Sequence, residues 1–331
     1  MTNNQTKELF QRHPKNPILA ARDWPYPVNS VFNPGAMLLP DGVTLLLCRV
    51  EDRSGHSHLC AARSKNGIDC WQIDPQPTLM PDPENYPEET WGIEDPRITH
   101  VPELNKYVIA YTSYSTDGPG ISLALTENFQ QFERYGFIML PPDKDAALLP
   151  RRIDGHWLMI HRPMSAHGNH IWLSYSPDLY HWGRHQLILE ARRGAWWDAD
   201  RIGLSPPLIE TSKGWLMIYH GVRLTASGSL YRSGLALFDR EQPERCLLRG
   251  DSWVFGPETS YERGGDVPNV TFSCGYTILP DGDTLNLYYG CADSSIALAK
   301  ASIQSLLDWL DRNGRPPKKE YGIKSGNQRQ P

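Results

Sequence analysis

The residues with the most chemical promise are one acid and a set of cations. Asp95 stands in the run Trp91-Gly92-Ile93-Glu94-Asp95-Pro96-Arg97, and Arg49, Arg53, Lys144, Arg162 and Arg201 recur at or near the ends of apolar segments. Cations gathered round one cavity repel until an anion enters, and a phosphate dianion satisfies them through charge-assisted, partly bidentate bonds. Neighbouring carboxylates such as Asp52 or Asp145 satisfy them too, and residue types alone leave both readings open. A carboxylic acid beside such a pocket would protonate a leaving group. Asp95 suits that task because Pro96 fixes the backbone that follows it and the flanking segments carry it into a strand. Asp-Pro also starts turns, so a purely structural Asp95 is the competing reading. Trp91, Tyr111, Trp196, Trp197, Phe272 and Tyr289 offer faces on which a sugar ring stacks, although most aromatics in such a chain are core.

Residues so far apart in sequence meet only if the fold brings equivalent strand ends together. Five segments share one pattern, a strand, a tight turn and a strongly apolar strand: 33–52, 94–114, 144–163, 203–223 and 273–293. Their turns hold Asp41-Gly42, Asn105-Lys106, Asp154-Gly155, Lys213-Gly214 and Asp281-Gly282, dipeptides that tolerate the positive φ of hairpin loops. A third strand follows each hairpin, and its equivalent positions, Ser64, Thr126, Ser176, Phe238 and Ala301, lie 62, 50, 62 and 63 residues apart. Five antiparallel units of near-constant length predict an all-β, five-bladed β-propeller over residues 1–311. A pair of β-sandwiches is the alternative. The one helical stretch, SIQSLLDWLDR, precedes a basic, apolar-poor tail over 312–331.

In a propeller the first and last residues of each hairpin face a central mouth. That rule collects Asn33, Glu94, Asp95, Lys144, Asp145 and Ser205 from the starts. From the ends it collects Arg49, Asp52, Arg53, Tyr111, Tyr114, His161, Arg162, His220, Arg223 and Asp293. So much charge predicts a polar pocket rather than closed core. Arg151 and Arg152 sit beside a turn and are set aside.

The chain has 331 residues, 40% of them hydrophobic, with 11 Trp, 15 Tyr, 28 Pro and 27 Gly, a mix that suits short strands and tight turns. A net charge of −5 without a basic block in the body of the chain excludes nucleic acid as the default partner. No apolar run is long enough to span a membrane and no signal peptide opens the chain, so a cytoplasmic address is expected. Cys48, Cys60, Cys70, Cys246, Cys274 and Cys291 lack zinc-ligand spacing and read as reduced thiols. The pairs His56/His58 and His167/His170 have no carboxylate at ligand spacing and read as loop histidines.

The segments VFNPGA (31–36), CRVEDR (48–53), WGIEDPRIT (91–99), KDAALLP (144–150), HRP (161–163), WWDADRIGLSPP (196–207), IYHGV (218–222) and YYGCAD (288–293) resemble family 130 of the glycoside hydrolases, in order and from about Asn16 to Leu310. That family comprises β-mannoside phosphorylases and a smaller set of β-1,2-mannosidases on a five-bladed propeller. The resemblance implies that Asp95 is the general acid, acting through the 3-hydroxyl of mannose. It implies phosphate binding by Lys144, Arg162, Arg201 and His220, and sugar binding by Ser30, Asn33, Arg49 and Asp293. The implied reaction converts a non-reducing-end β-mannoside and inorganic phosphate into α-D-mannose 1-phosphate and a shortened acceptor, with no metal or other cofactor. Arg201 stands where Lys is often found, and Asp145 where some members have Asn. The hydrolytic members lack much of the cation set, so its retention favours phosphorolysis. A non-catalytic sugar-binding propeller would have no use for these cations. A furanoside-cleaving glycosidase, with Asp95, Asp145 and Asp293 as its carboxylates, fits poorly with the cations beside them. Linkage preference is expected to lie in the loops 54–58, 114–120, 163–170 and 223–231, and a homo-oligomer stays open.

Overall fold

A computed structural model describes residues 9–166, 168–226 and 228–317. The fold is all-β; among these residues only two short α-helices occur, Ser260–Arg263 and Ile303–Asn313. The second matches the expected helical stretch and is capped by Ser302, whose Oγ accepts the N–H of Ser305 and satisfies an otherwise unpaired donor.

All five predicted hairpins are present. Ser30–Leu38 pairs with Thr44–Glu51, Ile93–Val101 with Lys106–Ser115, Asp143–Leu148 with Trp157–Ser165, Ile209–Thr211 with Gly214–Thr225, and Thr271–Ile278 with Thr284–Cys291. The turns carry the expected positive φ at Gly42, Asn105, Asp154, Gly155 and Gly282. Each hairpin gains a third antiparallel strand: Ser57–Ser64, Gly118–Thr126, Ile171–Ser176, Gly228–Phe238 and Ser295–Ser302. In the first four units a fourth strand follows in sequence. The fifth takes its outer strands from the start of the chain, Gln11–Arg12 and Leu19–Ala20, both paired with Ser295–Ser302. Sequence periodicity did not reveal this long-range pairing.

The middle strands are apolar on both faces because each unit is covered on both sides. Leu46, Cys48 and Val50 of the first unit pack with Tyr288, Ile296 and Leu298 of the fifth, while the alternating Leu45 and Leu47 pack with Ile93, Ile98 and Ile109 of the second. The same alternation sends Trp157 and Met159 to the second unit and Leu158 and Ile160 to the fourth. It sends Trp215 and Met217 to the third and Leu216 and Ile218 to the fifth. Five apolar cores thus lie between consecutive units, the last linking fifth to first. Residues 314–315 pair with Arg249 and Gly250, so order continues past the helix; the rest of the basic tail, 318–331, lies outside the described residues.

Candidate active site

The side chains of the site are aimed by one repeated backbone device. In the inner strands of the first, second, third and fifth units, the pairing register shifts between Phe32 and Gly35, Glu94 and Arg97, Lys144 and Ala147, and Ser273 and Gly275. These are β-bulges, which re-aim a side chain and interrupt the ladder. The bulged residues Asn33, Asp95 and Asp145 have φ of 43°, 51° and 58°. Asn and Asp are the non-glycine residues that most readily adopt this left-handed conformation. Their recurrence at equivalent points of three strands therefore has a local cause; Asp293 also takes a positive φ, 48°, but in the turn between Thr284–Cys291 and Ser295–Ser302.

Asn33, Arg49, Asp95, Lys144, Asp145, Arg162, Arg201, His220 and Asp293 line one cavity together with Tyr231, Val267, Val270 and Phe272. Eight of the nine expected site residues are thereby brought together. Ser30 is the exception: it is buried, does not line the cavity, and its Oγ faces the Asn29 amide at 3.5 Å. Several mouth residues are also placed elsewhere. Asp52 closes its own turn onto Ser54 and His56, and Arg223 donates to the Ala195 carbonyl. Tyr111 is buried and donates to Glu89, while His161 is buried against Asp143 and Ser174. Of the proposed stacking faces, Phe272 lines the cavity and Trp91 and Trp196 are exposed. Tyr111, Trp197 and Tyr289 are core. His56 bonds Ser54, His58 bonds Tyr26, His170 accepts from Ala191, and His167 lies outside the described residues.

Most of the cations are already paired. Asp95 Oδ1 accepts from Asn33 Nδ2 at 2.9 Å and from Arg49 at 3.3 Å. Glu94 bridges Arg49 at 3.1 Å and Lys144 at 3.0 Å. Arg162 Nε donates to Asp145 Oδ2 at 2.6 Å. Arg97 reaches the other oxygen of Asp145 at 3.4 Å while bonding the carbonyls of Leu204 and Ser205. Sequence does not mark this arginine, because its burial depends on Asp145, Leu204 and Ser205 of other units. Arg201 has no carboxylate partner among the described residues; it donates to the Tyr231 hydroxyl at 2.7 Å.

These contacts set the protonation states. Burial alone would raise the Asp95 carboxyl, but Arg49, Lys144, the Asn33 hydrogen bond and Arg97 outweigh it and hold the group below its ordinary value. Burial likewise opposes ionisation of Asp145, and Arg162, His220, Arg97 and Lys144 overcome it. Burial lowers His220 to about 3, with Arg162, Arg97 and Arg201 adding to the effect against Asp145. His220 is therefore held as a neutral imidazole, unlike Lys144, Arg162 and Arg201 beside it. Gly203 makes this packing possible, since a Cβ there would overlap Asp145 Oδ2 and the His220 ring.

Burial, with Asp95 and Glu51 adding, pushes Asp293 up to about 6 against Arg49 and Lys144. A raised carboxyl contributes stability at low pH that is lost as pH rises through the folded value. Asp293→Asn, which mimics the protonated form, should raise Tm relative to wild type at pH 7.5. The difference should shrink as pH falls from 6 towards 4, and a difference that grows on acidification would contradict the assignment.

The chain is similar throughout to known proteins. The family model described as beta-1,4-mannooligosaccharide phosphorylase matches residues 5–312. The beta-1,4-mannooligosaccharide phosphorylase of Ruminococcus albus is 31% identical over 92% of this chain and 91% of its own. The 1,2-beta-oligomannan phosphorylase of a Thermoanaerobacter species is 35% identical over 82% of this chain and 89% of its own. Among solved structures, beta-1,2-mannobiose phosphorylase from Listeria innocua superposes with a TM-score of 0.83 at 28% identity, covering 92% of this chain and 99% of that one.

Proposed function

This chain belongs to glycoside hydrolase family 130, and from that premise we propose that it cleaves β-mannosides by inverting phosphorolysis. Phosphate attacks the anomeric carbon of the non-reducing-end mannosyl unit, the glycosidic C–O bond breaks, and the leaving oxygen takes a proton that originates on Asp95 and passes through the mannose 3-hydroxyl. The products are α-D-mannose 1-phosphate and an acceptor one sugar shorter.

The observation that carries this reading is the convergence of Lys144, Arg162 and Arg201 on the cavity that holds Asp95. An inverting hydrolase requires a second carboxylate to activate water. Phosphate is already a nucleophile, so the protein has only to hold it in line and offset its charge. Lys144, Arg162 and Arg201 supply the charge, and neutral His220 supplies a hydrogen-bonding nitrogen. Asn33, Arg49 and Asp293 hold the mannosyl unit. No further cofactor is called upon.

The fold reading goes with it. Five units joined by five interfacial cores, the last returning to the first, support a closed five-bladed β-propeller forming one catalytic domain, with the N-terminal strands completing its final blade. The six cysteines are free thiols, and no helix among the described residues is long and apolar enough to cross a membrane. Both fit a cytoplasmic address.

Incubation with β-1,4-mannobiose, β-1,2-mannobiose and mannosyl-N-acetylglucosamine, with and without phosphate, tests the reaction and names the linkage. Mannose 1-phosphate should form only when phosphate is present. Free mannose released at a phosphate-independent rate would replace this reading with a mannosidase.

A further inference from the structure

Beside Lys144 and Arg162 runs a chain of polar side chains that the reaction above does not use. Asp143 Oδ1 accepts the backbone N–H of Arg162 at 3.1 Å, and its Oδ2 lies 2.6 Å from Nδ1 of His161. Nε2 of His161 lies 2.7 Å from Ser174 Oγ, which lies 2.6 Å from Nδ1 of His185. Asp143, His161 and Ser174 are buried, and His185 reaches the surface. Burying so many polar groups between apolar strands is unfavourable unless every one is satisfied.

The position of the chain suggests its task. Strands Asp143–Leu148 and Trp157–Ser165 match Lys144 with Arg162 and then shift register before Ala147. At that irregularity the N–H of Arg162 takes a side-chain carboxylate as its acceptor. Arg162 is thus held twice by one strand, at its backbone by Asp143 and at its Nε by Asp145. An Asp-His-Ser array also brings nucleophilic catalysis to mind, but Ser174 is fully buried and does not line the cavity.

We propose that Asp143 and His161 are positioning residues for the phosphate-binding pair Lys144 and Arg162, with Ser174 and His185 holding the His161 ring. The inference rests on the phosphate reading of the cavity. His161 donates from Nδ1 to Asp143 and accepts the Ser174 hydroxyl at Nε2, and the Ser174 oxygen takes the Nδ1–H of His185. Every member is then satisfied, and the Asp143 carboxylate is fixed in direction.

Steady-state kinetics of the whole protein, varying inorganic phosphate and mannobiose separately, tests this. His161→Leu removes the donor to Asp143, whereas His161→Asn keeps an N–H where Nδ1 stood. His161→Leu should raise KM for phosphate ~10-fold or more with KM for the mannoside within about twofold, and His161→Asn should restore most of the phosphate affinity. An unchanged phosphate KM in His161→Leu overturns the proposal, as does an equal rise in both KM values that His161→Asn does not relieve. Should His161→Leu fail to fold, Ser174→Ala deletes a single hydroxyl; a roughly threefold rise in phosphate KM alone supports the chain, and no rise overturns it. Wild-type protein separates the two levels. Phosphate-independent turnover there defeats the phosphate reading, while phosphate-dependent wild type with indifferent variants defeats this inference alone.

Discussion

Asp95→Asn is expected to lower kcat by ~10³-fold while mannoside binding stays within a few-fold of wild type. The amide preserves the shape of the group, and its oxygen still accepts from Asn33 and Arg49, the two contacts that fix Asp95 in the cavity. What is lost is the transferable proton and the negative charge that faces Arg49 and Lys144. In the empty site Asp95 is held ionised by Arg49 and Lys144 against the effect of burial. A phosphate dianion arriving beside those cations reverses the bias, so proton uptake accompanies phosphate binding. Phosphate affinity then weakens as pH rises towards the value Asp95 takes in the complex, and Asp95→Asn flattens that dependence. Calorimetric titration of phosphate at several pH values, beside turnover assays, reads both effects. Near-normal kcat in the variant would remove Asp95 from the acid role.

Arg162→Ala should produce the second large effect, and it should be double. Phosphate KM should rise ~10²-fold with the loss of a charge-assisted donor. Stability should also fall, by about 3 kcal/mol, because Asp145 is fully buried and loses its 2.6 Å partner. Arg97 at 3.4 Å and a neutral His220 at 3.5 Å are poor replacements. Arg201→Ala provides the contrast. Among the described residues its guanidinium bonds the Tyr231 hydroxyl and no carboxylate, so phosphate affinity should drop without a matching loss in urea-denaturation midpoint. Equal stability losses in the two variants would show that the pairing with Asp145 is not what distinguishes them.

The hairpins were legible because their signals are local. A Gly, Asn or Asp at each turn needs positive φ wherever the strands go, and the apolar middle strands announce burial on both faces. The convergence of Asn33, Asp95, Lys144, Arg162, His220 and Asp293 was legible by extension, since equivalent strand ends meet once the repeat is recognised. What escaped was settled between units. The pairing of Gln11–Arg12 and Leu19–Ala20 with Ser295–Ser302 spans nearly the whole chain and carries no periodic signal. The strand-end rule also failed to separate Tyr111 and His161 from the cavity, because successive side chains of a strand point to opposite faces, so that His161 is buried away from the cavity that Arg162 lines. Nor does residue type reveal that His220 is neutral or that Arg97 is fully enclosed; both follow from burial beside other charges.

The pairing of cations with Glu94, Asp95 and Asp145 has a kinetic consequence. A cavity lined by unmatched positive charge would draw anions from a distance and lose that advantage as salt screens the field. Here, apart from Arg201, each cation lining the cavity has a carboxylate within 3.5 Å, and the chain as a whole carries −5. Phosphate therefore arrives by unsteered diffusion and is recognised only on contact, so its association rate should be nearly indifferent to ionic strength.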